Sequence, residues 1–165
     1  MSVMYLEPLT SADVYASRIG RTLNSGFVAL LISIGHRTRL FDTMAALPPS
    51  TSHDVAAAAG LAERYVREWL AAMTAARIVH YDVRTGTYFL PIEYAAVLTR
   101  GAGGANLAPA TELLALLAGV EDLVVAGFHS GGGVTPEAYE RVYALLEQQK
   151  RQVVDEDYVR AMLEL

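Results

Sequence analysis

The stretch TSHDVAAAAGLAERYVREWLAAM, residues 51–73, decides the fold of this chain. Its first residue is a threonine and Asp54 follows three positions later, the spacing of a helix-starting capping box. We predict a short helix over Val55–Ala59 that ends at Gly60, and a second helix over Leu61–Ala76. The apolar stripe of the second helix consists of Tyr65, Val66, Trp69, Leu70 and Met73. Two helices joined by a glycine-containing turn predict a helix-turn-helix motif.

A β-hairpin is predicted directly after this motif. Ile78–Val83 and Thr87–Leu90 are rich in β-branched and aromatic residues, which strands favour. The segment Arg84–Gly86 between them is short and contains a glycine, as hairpin turns do. A hairpin in this position is the wing of a winged helix. Pro91–Leu98 then predicts a short helix that returns to the body of the domain.

Two further helices are predicted before the motif. Apolar residues recur at three- and four-residue spacing through Asp13–Ile34, and Gly35 suits the end of that helix. A shorter helix is predicted over Thr38–Leu47, because the two prolines that follow would stop it.

The chain changes character after the winged helix. Three glycines in Arg100–Ala105 predict a hinge. Leu107–Phe128 predicts an apolar helix broken at Gly119, which we expect to be buried between layers or between subunits because more than one of its faces is apolar. Thr135 caps a predicted helix that runs to about Gln149, with proline at its first position. A last helical piece is predicted over Asp155–Leu165.

The expected fold class is therefore mainly α. It is a winged helix-turn-helix with a small β-hairpin wing, flanked by long N-terminal and C-terminal helices. We expect residues 1–100 to form the winged helix-turn-helix domain with an N-terminal dimerisation helix. Residues 101–165 are expected to form a helical linker or lid segment.

Composition excludes several classes of function. The chain has 165 residues, 53% of them hydrophobic, and no cysteine, so disulfides, thiolate metal sites and a cysteine nucleophile are excluded. None of the four histidines stands at metal-ligand spacing from another, and we expect no metal site and no catalytic residue. Residues 1–100 hold nine basic and eight acidic residues, and residues 101–165 hold four basic and ten acidic ones. This balance argues against nucleic acid as a partner.

Location and membrane contact follow from the apolar runs. Met1–Thr10 has neither the basic residues nor the long apolar run of a signal peptide. The run from Leu107 to Phe128 is long enough to cross a membrane, but three carboxylates interrupt it. We therefore expect a cytoplasmic protein without a membrane span.

DNA contact is the hypothesis that a helix-turn-helix raises first. The candidate contacts are Arg64 and Arg67 on the second helix and Arg84 at the wing tip. Glu63 and Glu68 stand in the same turns, where they can pair with the arginines and would repel phosphate. We favour a winged helix used for packing and dimerisation, and keep a ligand-responsive winged-helix transcription regulator as the alternative.

A small-molecule site is predicted beside the triple glycine Gly131–Gly133. Tyr139 and Tyr143 are four residues apart and share one helix face. His129 is the nearby group that titrates near neutral pH, and the glycines would let the helix move over a ligand. The alternative is that both tyrosines pack on the body with their hydroxyls at the surface. A further alternative is a cofactor-independent enzyme that uses the same cavity.

Several motifs also resemble those of a known family. They are Ile34–Thr38, Leu40–Asp42, Pro48–Thr51, Ala57–Leu61, Glu63–Leu70, Tyr81–Asp82, Gly86–Tyr88, Leu90–Pro91 and Leu98–Thr99. Together they resemble the N-terminal winged-helix domain of bacterial class I S-adenosylmethionine-dependent methyltransferases that act on small molecules. The resemblance covers about residues 20–100. It implies a winged helix that dimerises and helps to close a substrate cleft, without binding DNA.

The resemblance does not extend to the catalytic domain of that family. The glycine loop after a first strand, and the acidic residue that holds the ribose, have no counterpart in the sequence. We therefore expect no S-adenosylmethionine bound by this chain, and a fused or separate methyltransferase domain as a possible partner. We also expect a homodimer, because Asp13–Ile34 and Leu107–Phe128 carry more apolar surface than a three-helix domain can cover.

Overall fold

The computed structural model describes residues 12–163. Met1–Thr10 and the end of the predicted last helical piece lie outside these residues. In chain order the elements are α1 (Ala12–Arg37), α2 (Leu40–Ala46), α3 (Ser52–Ala59), α4 (Glu63–Ala75), β1 (His80–Asp82), β2 (Thr87–Phe89), α5 (Ile92–Leu98), a 3₁₀ turn (Arg100–Ala105), α6 (Ala108–Ala118), α7 (Glu121–Ser130), a second 3₁₀ turn (Pro136–Tyr139) and α8 (Glu140–Leu163). The mainly α fold class with a small hairpin is confirmed.

The helix-turn-helix forms as its sequence dictates. The Thr51 hydroxyl accepts a hydrogen bond from the Asp54 backbone N–H, and the Asp54 carboxylate accepts one from the Thr51 backbone N–H, which completes the capping box. Gly60 ends α3 in the left-handed conformation at φ 66°, where a side chain would be strained. The chain then turns into α4, so the predicted motif is confirmed.

The wing is a two-stranded antiparallel hairpin. Tyr81 of β1 pairs with Tyr88 of β2, and their ring centroids lie 4.6 Å apart. Ser50 adds a short third pairing, because its N–H donates to the Tyr88 carbonyl at 3.0 Å and its carbonyl accepts from the Tyr88 N–H at 2.7 Å. The hairpin is therefore tied to the segment just before α3.

The core lies between α1, α2, α4 and the base of the wing. Trp69 and Phe41 pack edge to face with ring centroids 5.1 Å apart. The indole N–H of Trp69 donates to the Leu31 carbonyl of α1 at 2.9 Å, so its one polar group is satisfied. The residues buried around them include Leu40, Met44, Val55, Ala56, Val66, Leu70, Met73, Ile78, Val79, Leu90 and Leu98.

The predicted end of the first helix is wrong. α1 continues through Gly35 to Arg37. Gly35 is buried, and a Cβ added to it would lie 2.7 Å from a carbon of the Phe41 ring and closer still to the Trp69 indole. The glycine therefore serves a close approach between helices rather than a helix end.

Tyr65 does not belong to the apolar stripe of the second helix. Its side chain is 76% exposed, whereas Val66, Trp69, Leu70 and Met73 are buried. At 100° per residue Tyr65 lies about 90° around α4 from the centre of those four residues.

The strands are shorter than predicted at their outer ends. Ile78 and Val79 are buried, but both of their N–H groups donate to the Met73 carbonyl at the end of α4. They therefore close the helix and fill the core, and β1 begins only at His80.

The apolar run after the first 3₁₀ turn is broken near Gly119, as predicted. α6 and α7 meet at an angle of 49°. The expected burial does not hold within the chain for α7, which has no buried residue and leaves Phe128 86% exposed. Within residues 12–163, no single helix is long and apolar enough to cross a membrane, and α6 with α7 meets the length and composition only as this bent pair.

The C-terminal helix also differs in detail. Thr135 precedes a 3₁₀ turn and makes no capping hydrogen bond through its side chain. α8 then runs past Gln149 to Leu163 without a break, so the piece predicted from Asp155 is part of it. The division of the chain at residue 100 stays a prediction.

Replacing Gly35 with alanine should destabilise the fold. We expect the free energy of unfolding to fall by about 1–3 kcal/mol, because the new methyl group must displace two packed rings. The measurement is urea denaturation followed by tryptophan fluorescence. Gly26→Ala is the matched control, since it lies in the same helix with nothing within 4 Å of the added Cβ; it should stabilise by about 0.5–1 kcal/mol. Equal effects of the two changes would contradict this account.

Candidate functional site

An exposed apolar stripe runs along α1. Its residues recur at intervals of four or three and therefore lie on one side of the helix. They are 37–64% exposed, and the stripe extends over about 28 Å. The α1 stripe consists of Tyr15, Ile19, Leu23, Phe27, Leu30 and Ile34. Such a surface on one helix is typical of an interface with another polypeptide.

A second exposed apolar face lies on α6 and the residue before it. α6 packs along α1, with Ala108 fully buried and Glu112 directed to α1. The opposite side, which we call the α6 outer face, consists of Leu107, Ala110, Leu114, Leu117 and Ala118. Its three leucines are 45–63% exposed. Both helices thus bury one side within the chain and leave another apolar side uncovered.

A polar cluster joins the winged helix to the following helices. The backbone N–H of Arg100 donates to Asp42 at 2.7 Å, and its guanidinium donates to the same carboxylate and to the His36 carbonyl at 2.8 Å. The His36 imidazole lies 3.7 Å from the Glu112 carboxylate of α6. The glycine-rich segment predicted as a hinge therefore begins at an anchored residue.

The charge state of His36 is set by its surroundings. Burial lowers the pKa of the imidazole below its usual 6.5, and the Arg100 guanidinium lowers it further. Glu112 and Asp42 act in the opposite direction but more weakly. The imidazole is therefore neutral at pH 7, and its Nδ1 is buried without a hydrogen-bond partner among the described residues.

This burial predicts a pH dependence of stability. Because the pKa of His36 is lower in the folded than in the unfolded chain, the unfolded chain binds the proton first as the pH falls below about 6.5. The contribution of neutral His36 to the free energy of unfolding is complete above that pH, and it is lost as the pH falls through the folded-state pKa. Urea denaturation between pH 5.5 and 7.5 should show wild-type stability decreasing toward the acid end.

The matched variants are His36→Gln and His53→Gln, the second at an exposed histidine. The slope of unfolding free energy against pH should become shallower in His36→Gln and stay at its wild-type value in His53→Gln. An unchanged slope in His36→Gln would contradict the assignment, whatever the absolute stability of that variant.

The predicted ligand residues are only partly brought together. The rings of Tyr139 and Tyr143 lie 6.3 Å apart. An open depression of about 510 Å³ lies beside them and is lined by Pro136, Glu137, Glu140, Tyr143, Ala144 and Glu147. Tyr139 and His129 do not line it, and His129 is exposed near the end of α7. The small-molecule site stays a prediction.

The candidate DNA contacts lie beside carboxylates. The Arg67 guanidinium is 3.9 Å from the Glu63 carboxylate, which also accepts a hydrogen bond from Ser52 at 2.8 Å. Arg64 and Arg84 are exposed. The surface of α4 therefore mixes both signs of charge and does not form a basic face.

The described residues do not fit S-adenosylmethionine in the way that a Rossmann domain does. That mode needs a glycine loop between a parallel strand and a helix. Within residues 12–163 the sheet has two antiparallel strands. Gly101 follows α5 and Gly131 follows α7, and neither follows a strand. No group of three potential metal ligands was found among the same residues.

Comparisons with known proteins agree with this fold. Residues 26–100 match the model of the Rv2258c-like winged HTH domain. A search of curated proteins gave no match. Among solved structures, RosA, the N,N-8-amino-8-demethyl-D-riboflavin dimethyltransferase of Streptomyces davawensis, aligns with a TM-score of 0.61 at 20% identity, over 94% of this chain and 45% of that one.

Two other solved structures are similar. Human N-acetylserotonin methyltransferase, solved with SAM, aligns with a TM-score of 0.58 at 15% identity, over 90% of this chain and 46% of that one. PigF, solved with SAH, aligns with a TM-score of 0.56 at 20% identity, over 90% of this chain and 42% of that one. This chain thus spans less than half the length of the structures that it matches.

The class of the protein follows from the fold and these matches: it is a winged-helix protein with the fold found in part of each of these methyltransferases. More particularly, residues 26–100 are similar to the Rv2258c-like winged HTH domain, whose model they match. The resemblance drawn from the sequence motifs is thereby confirmed.

Sequence reasoning missed the polar cluster. Arg100 stands 58 positions from Asp42 and 64 from His36, and no local pattern links such distant residues. His36 and Asp42 lie within the motifs Ile34–Thr38 and Leu40–Asp42 that carry the resemblance, but those motifs did not indicate a shared contact with Arg100.

Proposed function

We propose that this chain is a non-catalytic winged-helix module of the S-adenosylmethionine-dependent methyltransferase type that serves dimerisation and the formation of a small-molecule cleft. The observation that carries the proposal is the α1 stripe. Six large apolar side chains stand exposed on one side of a helix whose other side packs into the core. Obligate dimer interfaces resemble a core cut in half, and this stripe has that composition.

The partner in this proposal is a second copy of the chain. The α1 stripe contains no charged residue, so it offers nothing to a nucleic acid or an acidic surface. A methyltransferase catalytic domain, fused or separate, is the second proposed partner. It is suggested by the structures that match, each more than twice as long as the part aligned.

The small-molecule cleft is proposed near the start of α8. Tyr139, Tyr143 and His129 remain its proposed polar contacts. Tyr143 lines the depression there together with three carboxylates. In this proposal Tyr143 forms part of one wall with Tyr139 behind it, and a catalytic domain supplies the remainder, because the depression is open to solvent.

The transcription-regulator alternative has less support. A regulator would need a basic face around Arg64, Arg67 and Arg84 that is free of acid pairing. Glu63 lies beside Arg67, so at least one of these arginines is next to a carboxylate. No observation favours the cofactor-independent enzyme.

The dimer is tested by placing a charge within the α1 stripe. Sedimentation velocity at micromolar concentration should give twice the chain mass of 17.8 kDa for the wild-type chain. Leu23→Glu should raise the dissociation constant by about 100-fold or more, because the new carboxylate would be buried without a partner. Ser17→Glu is the matched control on the same helix, exposed and outside the stripe, and should leave the dimer intact. A monomeric wild-type chain would overturn the proposal.

The absence of cofactor binding is tested separately. Titration calorimetry with S-adenosylmethionine at sub-millimolar concentration should give no saturable heat, because residues 12–163 contain no glycine loop between a parallel strand and a helix. Circular dichroism on the same sample verifies that the chain is folded. Saturable binding of one cofactor per chain would show that a different site exists, and would contradict the non-catalytic assignment.

A further inference from the structure

α6 is unusual in having no polar side chain on its outer face. Glu112 is the one charged residue of the helix, and it is directed to His36 inside the chain. A helix face that consists only of apolar side chains is normally buried. The α6 outer face therefore requires a partner, and its lack of charge means that the partner must be apolar as well.

The area that a stable dimer buries indicates that the α6 outer face and the α1 stripe contact the same partner. A stable interface buries about 800 Å² on each partner, whereas the exposed area of the α1 stripe is roughly 600 Å². The three leucines of the α6 outer face add on the order of 300 Å². Together the two faces offer roughly 900 Å² of apolar surface on each copy, which is enough for a stable dimer.

The shapes of the two faces are complementary. The α1 stripe carries only large side chains, among them Phe27 and Tyr15, whereas the α6 outer face combines leucines with Ala110 and Ala118. Large residues pack best opposite small ones.

Within one chain the two faces cannot meet. α6 already turns the side that carries Ala108 and Glu112 toward α1, so its outer face points away. We propose that the α1 stripe of one copy packs against the α6 outer face of its partner, and reciprocally, about a two-fold axis. This pairing rests on the dimer proposed above and specifies which surfaces form it.

α7 is left out of this interface. It begins with Glu121 and Asp122, which are exposed. Leu123 and Phe128 lie about 140° apart around the helix and do not form one stripe. The exposed apolar residues of α7 therefore give a matched control for those of α6.

The first test compares the same substitution on the two helices. Leu117→Glu is expected to raise the dissociation constant of the dimer by about 100-fold or more. Leu123→Glu, at a leucine of similar exposure (51% against 45%), is expected to change it less than threefold. Sedimentation velocity gives both values, and circular dichroism shows whether each variant is folded. The pairing is overturned if the dimer persists in Leu117→Glu. It is also overturned if Leu123→Glu raises the dissociation constant as much as Leu117→Glu does.

The second test uses the absence of cysteine from the chain. Leu23→Cys and isotope-labelled Leu117→Cys are expressed separately, mixed and oxidised. The pairing predicts disulfide-linked dimers that contain one chain of each kind. The mixture of Leu23→Cys with labelled Leu123→Cys should give none. Dimers in which Leu23→Cys links mainly to itself would show that the α1 stripe packs on its own copy, and would overturn the pairing.

The outcomes separate this pairing from the proposed function. A wild-type chain that sediments as a monomer removes the dimer altogether. If Leu23→Glu dissociates the dimer and Leu117→Glu does not, the proposed function stands. That result overturns only the role of the α6 outer face.

Discussion

The close approach of α1 to α4 is the constraint on which the rest of the structure depends. Gly35 brings the α1 backbone against the Trp69 and Phe41 rings, and the Trp69 N–H fixes that approach through the Leu31 carbonyl. Because a glycine stands at the contact, the two aromatic rings fill the space that a side chain would occupy. α1 is thereby held against the helix-turn-helix at its C-terminal half, and its N-terminal half extends beyond the core.

The same geometry explains why two apolar surfaces remain uncovered. The winged helix covers the core side of α1, and α6 covers the side next to it. The α1 stripe faces a third direction, in which residues 12–163 place no other element. α6 places Glu112, its one charged residue, beside His36 and leaves its leucines outward. A winged helix with this arrangement is suited to association through its flanking helices, whereas its α4 surface carries mixed charges.

The polar cluster around Arg100 determines how the later helices leave the winged helix. Three hydrogen bonds from one residue hold the start of the glycine-rich segment to α1 and α2. Hydrogen bonds to charged groups are stronger than neutral ones, and this set joins three elements at one point. The glycine-rich segment that leads to α6 therefore starts from a point that is fixed on α1 and α2.

The sequence by itself determined the local elements. The capping box at Thr51, the glycine at residue 60 and the two β-rich runs around a glycine-containing turn predicted the winged helix, because caps, turns and strand preferences act over a few residues. The three- and four-residue spacing of apolar residues likewise predicted α1. Only the tertiary structure decided that Gly35 lies inside α1, that Tyr65 is exposed, and that Arg100 meets Asp42 and His36. Those outcomes depend on packing between residues far apart in the chain, and the sequence carries no local pattern for such contacts.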